Sequence, residues 1–247
     1  MGYYKDLREF LGTLERNGKL LRVTKPLKKE TEVGPLMWLQ YRGLPEEKWK
    51  SFLFDKVIDV KGRQYEPKVL IGPYAASREV FALGMMCKPE EINETWARSM
   101  ANPIDPVLVK EGPVQEVIVE GDNIDAGWLP LVVDEPGFSG TVRTTTQFVT
   151  KDPVTGIRNV GHYSAHLRGK KKMFFGVGHG QGAHIHWQKC KAAGKRLELA
   201  VVIGTTPNIS YVSSATAPYD VDEFRLDRKS TRLNSSHIQK SRMPSSA

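Results

Sequence analysis

Two cysteines, Cys87 and Cys190, are the only thiols in this chain of 247 residues, and no metal-ligand spacing relates them. That excludes a disulfide framework and a zinc-ribbon type of site, so both thiols are expected to be reduced and structural. No apolar run reaches eighteen residues, which leaves no candidate membrane helix. The start, Met1-Gly2-Tyr3-Tyr4-Lys5-Asp6-Leu7, lacks the apolar core of a secretory signal, and a cytoplasmic location is the expectation. Its sixth residue is neither Ser nor Thr, against a myristoylation start. No internal repeat is visible. The 40% hydrophobic and 26% charged residues are ordinary for a globular protein of one large or two modest domains.

The net charge of +8 raises the question of nucleic acid, but it is unevenly placed. Residues 227–247 hold Arg228, Lys229, Arg232, Lys240 and Arg242 against Asp227 alone, half of the excess. A body with the remaining half is only mildly basic, which bears on solubility and steering more than on a partner. No nucleic-acid partner is therefore expected. The last stretch also has no apolar period. Asp227 to His237 resembles a common sequencing-library adapter translated in frame, and Ser241 to Ala247 resembles its distal part. Ile238-Gln239-Lys240 falls where a variable index would lie. The tail is expected to be an artefactual, disordered scar, with the gene product truncated near Leu226.

Along the body, Leu7, Phe10, Leu11 and Leu14 follow the i, i+3, i+4, i+7 pattern of a helix over residues 4–17, with Gly18 at its stop. Leu20 to Val23 reads as a strand. Glu32 to Tyr41 reads as a helix that tolerates Pro35 in its first turn. Strands over Phe52 to Phe54 and Lys68 to Gly72 follow, then a helix capped by Ser77 and another from Pro89 to Met100. Asn102-Pro103-Ile104-Asp105-Pro106 marks a boundary. Beyond it the pattern predicts strands at Val114–Val119, Thr144–Thr150, Val160–Leu167, Met173–Val177 and Leu197–Ile203. A helix from Gly180 to about Ala193 interrupts them.

Three segments carry the chemistry: Asn159-Val160-Gly161-His162-Tyr163, Gly178-His179-Gly180-Gln181-Gly182 and Pro218-Tyr219-Asp220-Val221-Asp222-Glu223. The amide oxygen of Asn159, the imidazole of His179 and the carboxylate of Glu223 suit a hard-to-borderline divalent cation such as Mn²⁺ or Mg²⁺. Backbone N–H groups at Gly180 and Gly182 suit a phosphate. His184 and His186, at i and i+2, do not share a helix face and read as ordinary residues of a helix start.

With Tyr4 to Leu11, Gly112 to Val117, Leu129-Pro130 and Ser213-Ser214, these segments resemble the N-terminal half of the UbiD family of prenylated-FMN-dependent decarboxylases. The resemblance implies an α+β fold. A small α/β domain over residues 1–105 would precede an incomplete split β-barrel of flavin-reductase type over residues 106–226. It implies reversible non-oxidative decarboxylation of an aromatic or α,β-unsaturated carboxylic acid with prenylated FMN, supplied by a flavin prenyltransferase, in a homo-oligomer when full length. It assigns Asn159, His179 and Glu223 to the metal that anchors the cofactor phosphate. Ser213 and Ser214 fall to the loop beside the phosphate and a K⁺ ion.

Two departures stand out. Ser164 occupies the position where the family carries an arginine, and it cannot replace that charge. His162, Ser164 and His166 alternate along one strand face, so a histidine there is a possible substitute. The family's catalytic glutamates would lie beyond Glu223, which leaves no assignable general acid. The alternatives are a flavin-binding barrel without lyase chemistry, an inactive fragment, and a basic nucleic-acid module that rests on the tail.

Overall fold

The protein is described by a computed structural model over residues 3–133 and 143–227. Of the adapter-like stretch 227–247, Asp227 is the last residue of a helix, Glu223–Asp227, and so is not disordered as expected; residues 228–247 lie outside the described residues. In chain order the helices are α1 (Leu7–Arg16), α2 (Val33–Gly43), α3 (Arg78–Met85), α4 (Ile92–Met100), α5 (Gly182–Ala192), α6 (Pro207–Ser213) and α7 (Glu223–Asp227). The strands are β1 (Leu20–Val23), β2 (Leu27–Lys28), β3 (Ser51–Phe54), β4 (Val57–Ile58), β5 (Gln64–Tyr65), β6 (Val69–Ile71), β7 (Arg143–Lys151), β8 (Arg158–Leu167), β9 (Met173–Phe175) and β10 (Leu199–Val202).

Local chemistry sets the ends of α1. Asp6 Oδ1 accepts a hydrogen bond from Glu9 N–H at 2.9 Å, and Gly18 takes a left-handed φ of 67° just past the helix. The apolar stripe buries Phe10 and Leu14 against Tyr4, Ala76 and Val80, which contributes roughly 1.5–3 kcal/mol for each side chain. Ser77 caps α3 as expected, its Oγ accepting from Val80 N–H at 3.2 Å. β1 runs parallel to β3, and β6 pairs antiparallel on the other side. All four residues of β3 are buried, because Phe52 and Phe54 pack under Val33 and Met37 of α2 while Leu53 faces the opposite side. β2, β4 and β5 form a separate small sheet of two-residue strands, too short to leave a period in the sequence.

The second half is built on an antiparallel sheet in the order β10-β7-β8-β9. The hairpin β7–β8 runs from Arg143↔His166 to Lys151↔Arg158 and turns at Gly156, whose φ is 78°. On one face Phe148, Tyr163 and Ala165 pack under Ala183 of α5. On the other, Val149 and Val160 pack against Ile209 of α6 and Phe224 of α7. The resulting α+β architecture, with an incomplete barrel-like sheet, is the expected class. The halves meet where α6 crosses α3. A Cβ at Gly84 would lie 2.0 Å from the Tyr211 hydroxyl, so only glycine permits that approach.

One predicted strand, Val114–Val119, does not form. Pro113 opens a 3-10 turn through Gln115, and among the described residues no strand follows before β7. Val117 is 80% and Ile118 69% exposed. The valine-rich alternation suits a pleated surface, but a strand exists only when a partner takes its backbone hydrogen bonds. Among the described residues none does. β10 is shorter than its apolar run suggests and alternates between exposed and half-buried positions, as a sheet edge does.

Candidate metal and cofactor site

Among the described residues β9 pairs with Ala165–Leu167 of β8, and no strand covers the beginning of β8 on that side. Three consecutive residues organise that edge. Arg158 Nε donates to Asp222 Oδ2 at 2.8 Å, and its guanidinium lies over the Phe224 ring. Val160 N–H donates to Glu223 Oε2 in a short hydrogen bond. Asn159 stands between them, on the α5 face of the strand. It approaches α5 so closely that a Cβ at Gly182 would lie 1.8 Å from its Oδ1. Its Nδ2 is buried without a hydrogen-bond partner, and the Tyr163 phenol is its polar neighbour. Gly161 lets that phenol lie across the strand: a Cβ there would sit 2.3 Å from the ring.

Glu223 is 9% exposed. Burial pushes its carboxyl up to about 7, against the hydrogen bond from Val160, and the Asp222 charge adds to the rise. Among the described residues it has no cationic partner. A buried carboxylate without a counter-ion is costly to ionise, and a bound cation removes that cost. The structure thus brings Asn159 and Glu223 to one strand end, with Gly182 against them.

His179 lies in the exposed loop entering α5, its ring edge-on to His184 at 4.6 Å between centroids. Gly180 has a φ of 84°, and Gly178 N–H donates to Gln181 Oε1 at 2.6 Å. The loop ties His179 to α5 through His184, two residues beyond the Gly182 that packs on Asn159; the structure brings Asn159 and Glu223 together and links His179 to them only through this helix start. No group of three His, Cys, Asp or Glu side chains forms a metal cluster among the described residues. A set containing Asn159 offers only two such side chains, so it falls outside that description. The donor set fits a hard-to-borderline cation: one amide oxygen, one imidazole and one buried carboxylate.

The remaining predicted residues are spread further. Ser213 and Ser214 end α6, and both hydroxyls donate to Ser210 C=O, at 2.8 and 3.2 Å. Ser214 also lines a cavity of about 1230 Å³ that is shared with Tyr74, Trp96, Trp128, Val201 and His162. That cavity adjoins the β8 face opposite Asn159. Ser164 is exposed and pairs with Thr145. His162 accompanies it on that face, but burial lowers its pKa. It is therefore neutral near pH 7 and does not supply an arginine's charge.

His184 and His186 point to different surroundings, as their spacing predicts. His186 is buried, its Nδ1 2.9 Å from Thr150 Oγ1, whereas His184 meets His179 and Trp187. A buried cluster around Asp152 was not foreseen. Asp152 reads in sequence as the first residue of a hairpin turn, and it does accept from Val154 and Thr155 N–H. Its other oxygen, Oδ2, collects Lys189 from α5 and Tyr219 from the segment before Glu223. Nothing in local sequence marks that second role.

Residues 107–228 match the family model of the 3-octaprenyl-4-hydroxybenzoate carboxy-lyase Rift-related domain. Over residues 107–228 the chain carries a UbiD-family domain. A protein of Aquifex aeolicus (strain VF5) is 33% identical over 239 residues, covering 91% of this chain and 49% of that protein. The UbiD-class enzyme HmfF from Pelotomaculum thermopropionicum, solved in complex with FMN, superposes with a TM-score of 0.78 at 29% identity, over 90% of this chain and 47% of HmfF. Its evolved dimeric form with prFMN gives 0.79 at 29%, over 91% and 50%. Sedimentibacter hydroxybenzoicus vanillic acid decarboxylase in its closed form, at 22% identity, shares the fold with a TM-score of 0.81, over 92% of this chain and 48% of that one. This chain spans about half the length of the relatives it matches.

Proposed function

We propose that this chain forms the cofactor-anchoring part of a carboxy-lyase that decarboxylates an aromatic or α,β-unsaturated carboxylic acid, reversibly and without net oxidation. The carrying observation is the buried carboxylate of Glu223, without a cationic partner among the described residues, beside Asn159 and the first turn of α5. Asn159 Oδ1, the His179 imidazole and the Glu223 carboxylate are the ligands of a divalent cation, Mn²⁺ or Mg²⁺. Gly180 and Gly182 present N–H groups to the cofactor phosphate. Ser213 and Ser214, whose hydroxyls donate to Ser210 C=O, would offer K⁺ their backbone or hydroxyl oxygens. The binding of FMN and prFMN by HmfF supports a prenylated flavin here. When bound, that cofactor supplies the electron sink for losing CO₂.

The residues of this chain orient and hold. Glu223 and Asn159 would hold the cation, which would supply the positive charge that phosphate needs beyond N–H groups. The mostly apolar cavity on the His162 face provides room for a ring. Ser164 positions a substrate by hydrogen bonding at most, without a permanent positive charge. A neutral residue at Ser164 favours a second reading, flavin binding without lyase chemistry. A flavin prenyltransferase is the expected cofactor source, and a homo-oligomer the expected assembly of the whole enzyme.

The test is flavin retention. Wild-type chain and Asn159→Ala are desalted after incubation with prenylated FMN, with Mn²⁺ or with EDTA, and bound flavin is read by absorbance. Metal-dependent retention lost in Asn159→Ala supports the reading; equal retention in EDTA overturns it. Release of CO₂ from aromatic and unsaturated acids by a full-length enzyme with Ser164 separates lyase from simple flavin binding.

A further inference from the structure

Asp152 is 2% exposed and its side chain is fully buried, yet it touches neither Asn159 nor Glu223 directly. Four donors converge on its carboxylate. Val154 and Thr155 N–H reach Oδ1 at 2.8 and 3.1 Å, and Lys189 Nζ and Tyr219 Oη reach Oδ2 at 2.5 Å each. Lys189 also donates to the Tyr219 oxygen at 3.1 Å. His186 Nε2 stands 4.0 Å from Oδ2, while its Nδ1 meets Thr150. Burial alone would raise the Asp152 pKa, but the bonds from Lys189, Tyr219 and the two N–H groups overrule it and hold the carboxyl well below the usual range.

These donors come from the three elements that must agree at the site. Thr150 and Asp152 belong to the β7–β8 hairpin, and Thr150 is the register partner of Asn159. Lys189 and His186 belong to α5, whose first residue packs on Asn159. Tyr219 lies four residues before Glu223. One carboxylate therefore ties the strand of the amide ligand, the helix that follows the imidazole ligand and the segment that carries the carboxylate ligand. We propose that Asp152, with Lys189 and Tyr219, is a positioning cluster that sets Glu223 and α5 relative to Asn159 for cation binding. This rests on the metal reading above. Tyr219 is the informative member: the residue is 42% exposed, so removing its hydroxyl leaves core packing unchanged.

The experiment titrates Mn²⁺ into the chain and reads free Mn²⁺ by its EPR signal, for wild type, Glu223→Gln, Tyr219→Phe and Asp152→Asn. Circular dichroism and thermal melting run alongside. Outer-shell partners typically govern metal affinity by about 10- to 100-fold, and Tyr219→Phe is expected to weaken Mn²⁺ binding about tenfold while its spectrum and melting stay wild type. Asp152→Asn is expected to weaken it more, with a lower melting temperature. Wild-type affinity in Tyr219→Phe, with binding lost in Glu223→Gln, overturns the positioning role and leaves the metal reading standing. Absence of Mn²⁺ binding in wild type, or equal binding in Glu223→Gln, overturns both. Should Asp152→Asn not fold, Tyr219→Phe alone decides.

Discussion

Glu223 makes the sharpest prediction because its ionisation opposes the fold unless a cation is present. Its folded pKa is about 7, against an ordinary value of 4.5. Below about pH 4.5 both folded and unfolded chains carry the proton, and no penalty exists. Between 4.5 and 7 the unfolded chain ionises first while the folded one keeps its proton, so stability falls as pH rises. Above 7 the full difference of about 2.5 pH units applies, about 3 kcal/mol at 1.36 kcal/mol per unit. In a chain of this size that is roughly 10 °C in melting temperature. Glu223→Gln removes the charge, so its apo form should lack this loss between pH 5 and 8 and melt higher than wild type at pH 8. Mn²⁺ at about 100 times its dissociation constant should return about 2.7 kcal/mol to the wild type and nothing to the variant. Differential scanning calorimetry at pH 5, 6.5 and 8, with EDTA or Mn²⁺, measures all of this. Parallel pH profiles for the two proteins, or an equal Mn²⁺ shift in both, refute the reasoning.

Other outcomes follow from close contacts and charge. Gly182→Ala places a methyl 1.8 Å from Asn159 Oδ1 and should cut Mn²⁺ affinity at least tenfold by displacing the amide, as read by the EPR titration. Gly161→Ala forces the Tyr163 ring off the strand; a loss of about 1–3 kcal/mol is expected by urea denaturation, as for overpacked cores. Phe148→Ala empties the centre of the α5-facing core and should cost about 3–5 kcal/mol in the same assay. Deleting residues 228–247 should leave Mn²⁺ affinity unchanged and abolish salt-sensitive retention on immobilised DNA; undiminished retention by the shorter chain revives a nucleic-acid function.

Legibility in the sequence divides along physical lines. Helix ends were readable where a side chain caps its own helix, as at Asp6 and Ser77, because such interactions span three residues. The β7–β8 hairpin was readable from alternation and the Asp152–Gly156 turn, for the same reason. Val114–Val119 misled, since alternation records suitability for a sheet and not the presence of a partner. The donor types at Asn159, His179 and Glu223 were legible as chemistry, and resemblance suggested what they would bind.

What local sequence could not supply is the meeting of distant groups. That Val160 N–H caps Glu223, that Gly182 must lack a Cβ for Asn159, and that Asp152 gathers Lys189 and Tyr219 are contacts over 23 to 67 residues of chain. The sequence by itself determined the α+β class, the turn and cap positions and the donor types. Only the tertiary structure decided which donors share a strand end and how far burial shifts Glu223, because pKa and contact depend on what surrounds a group in space.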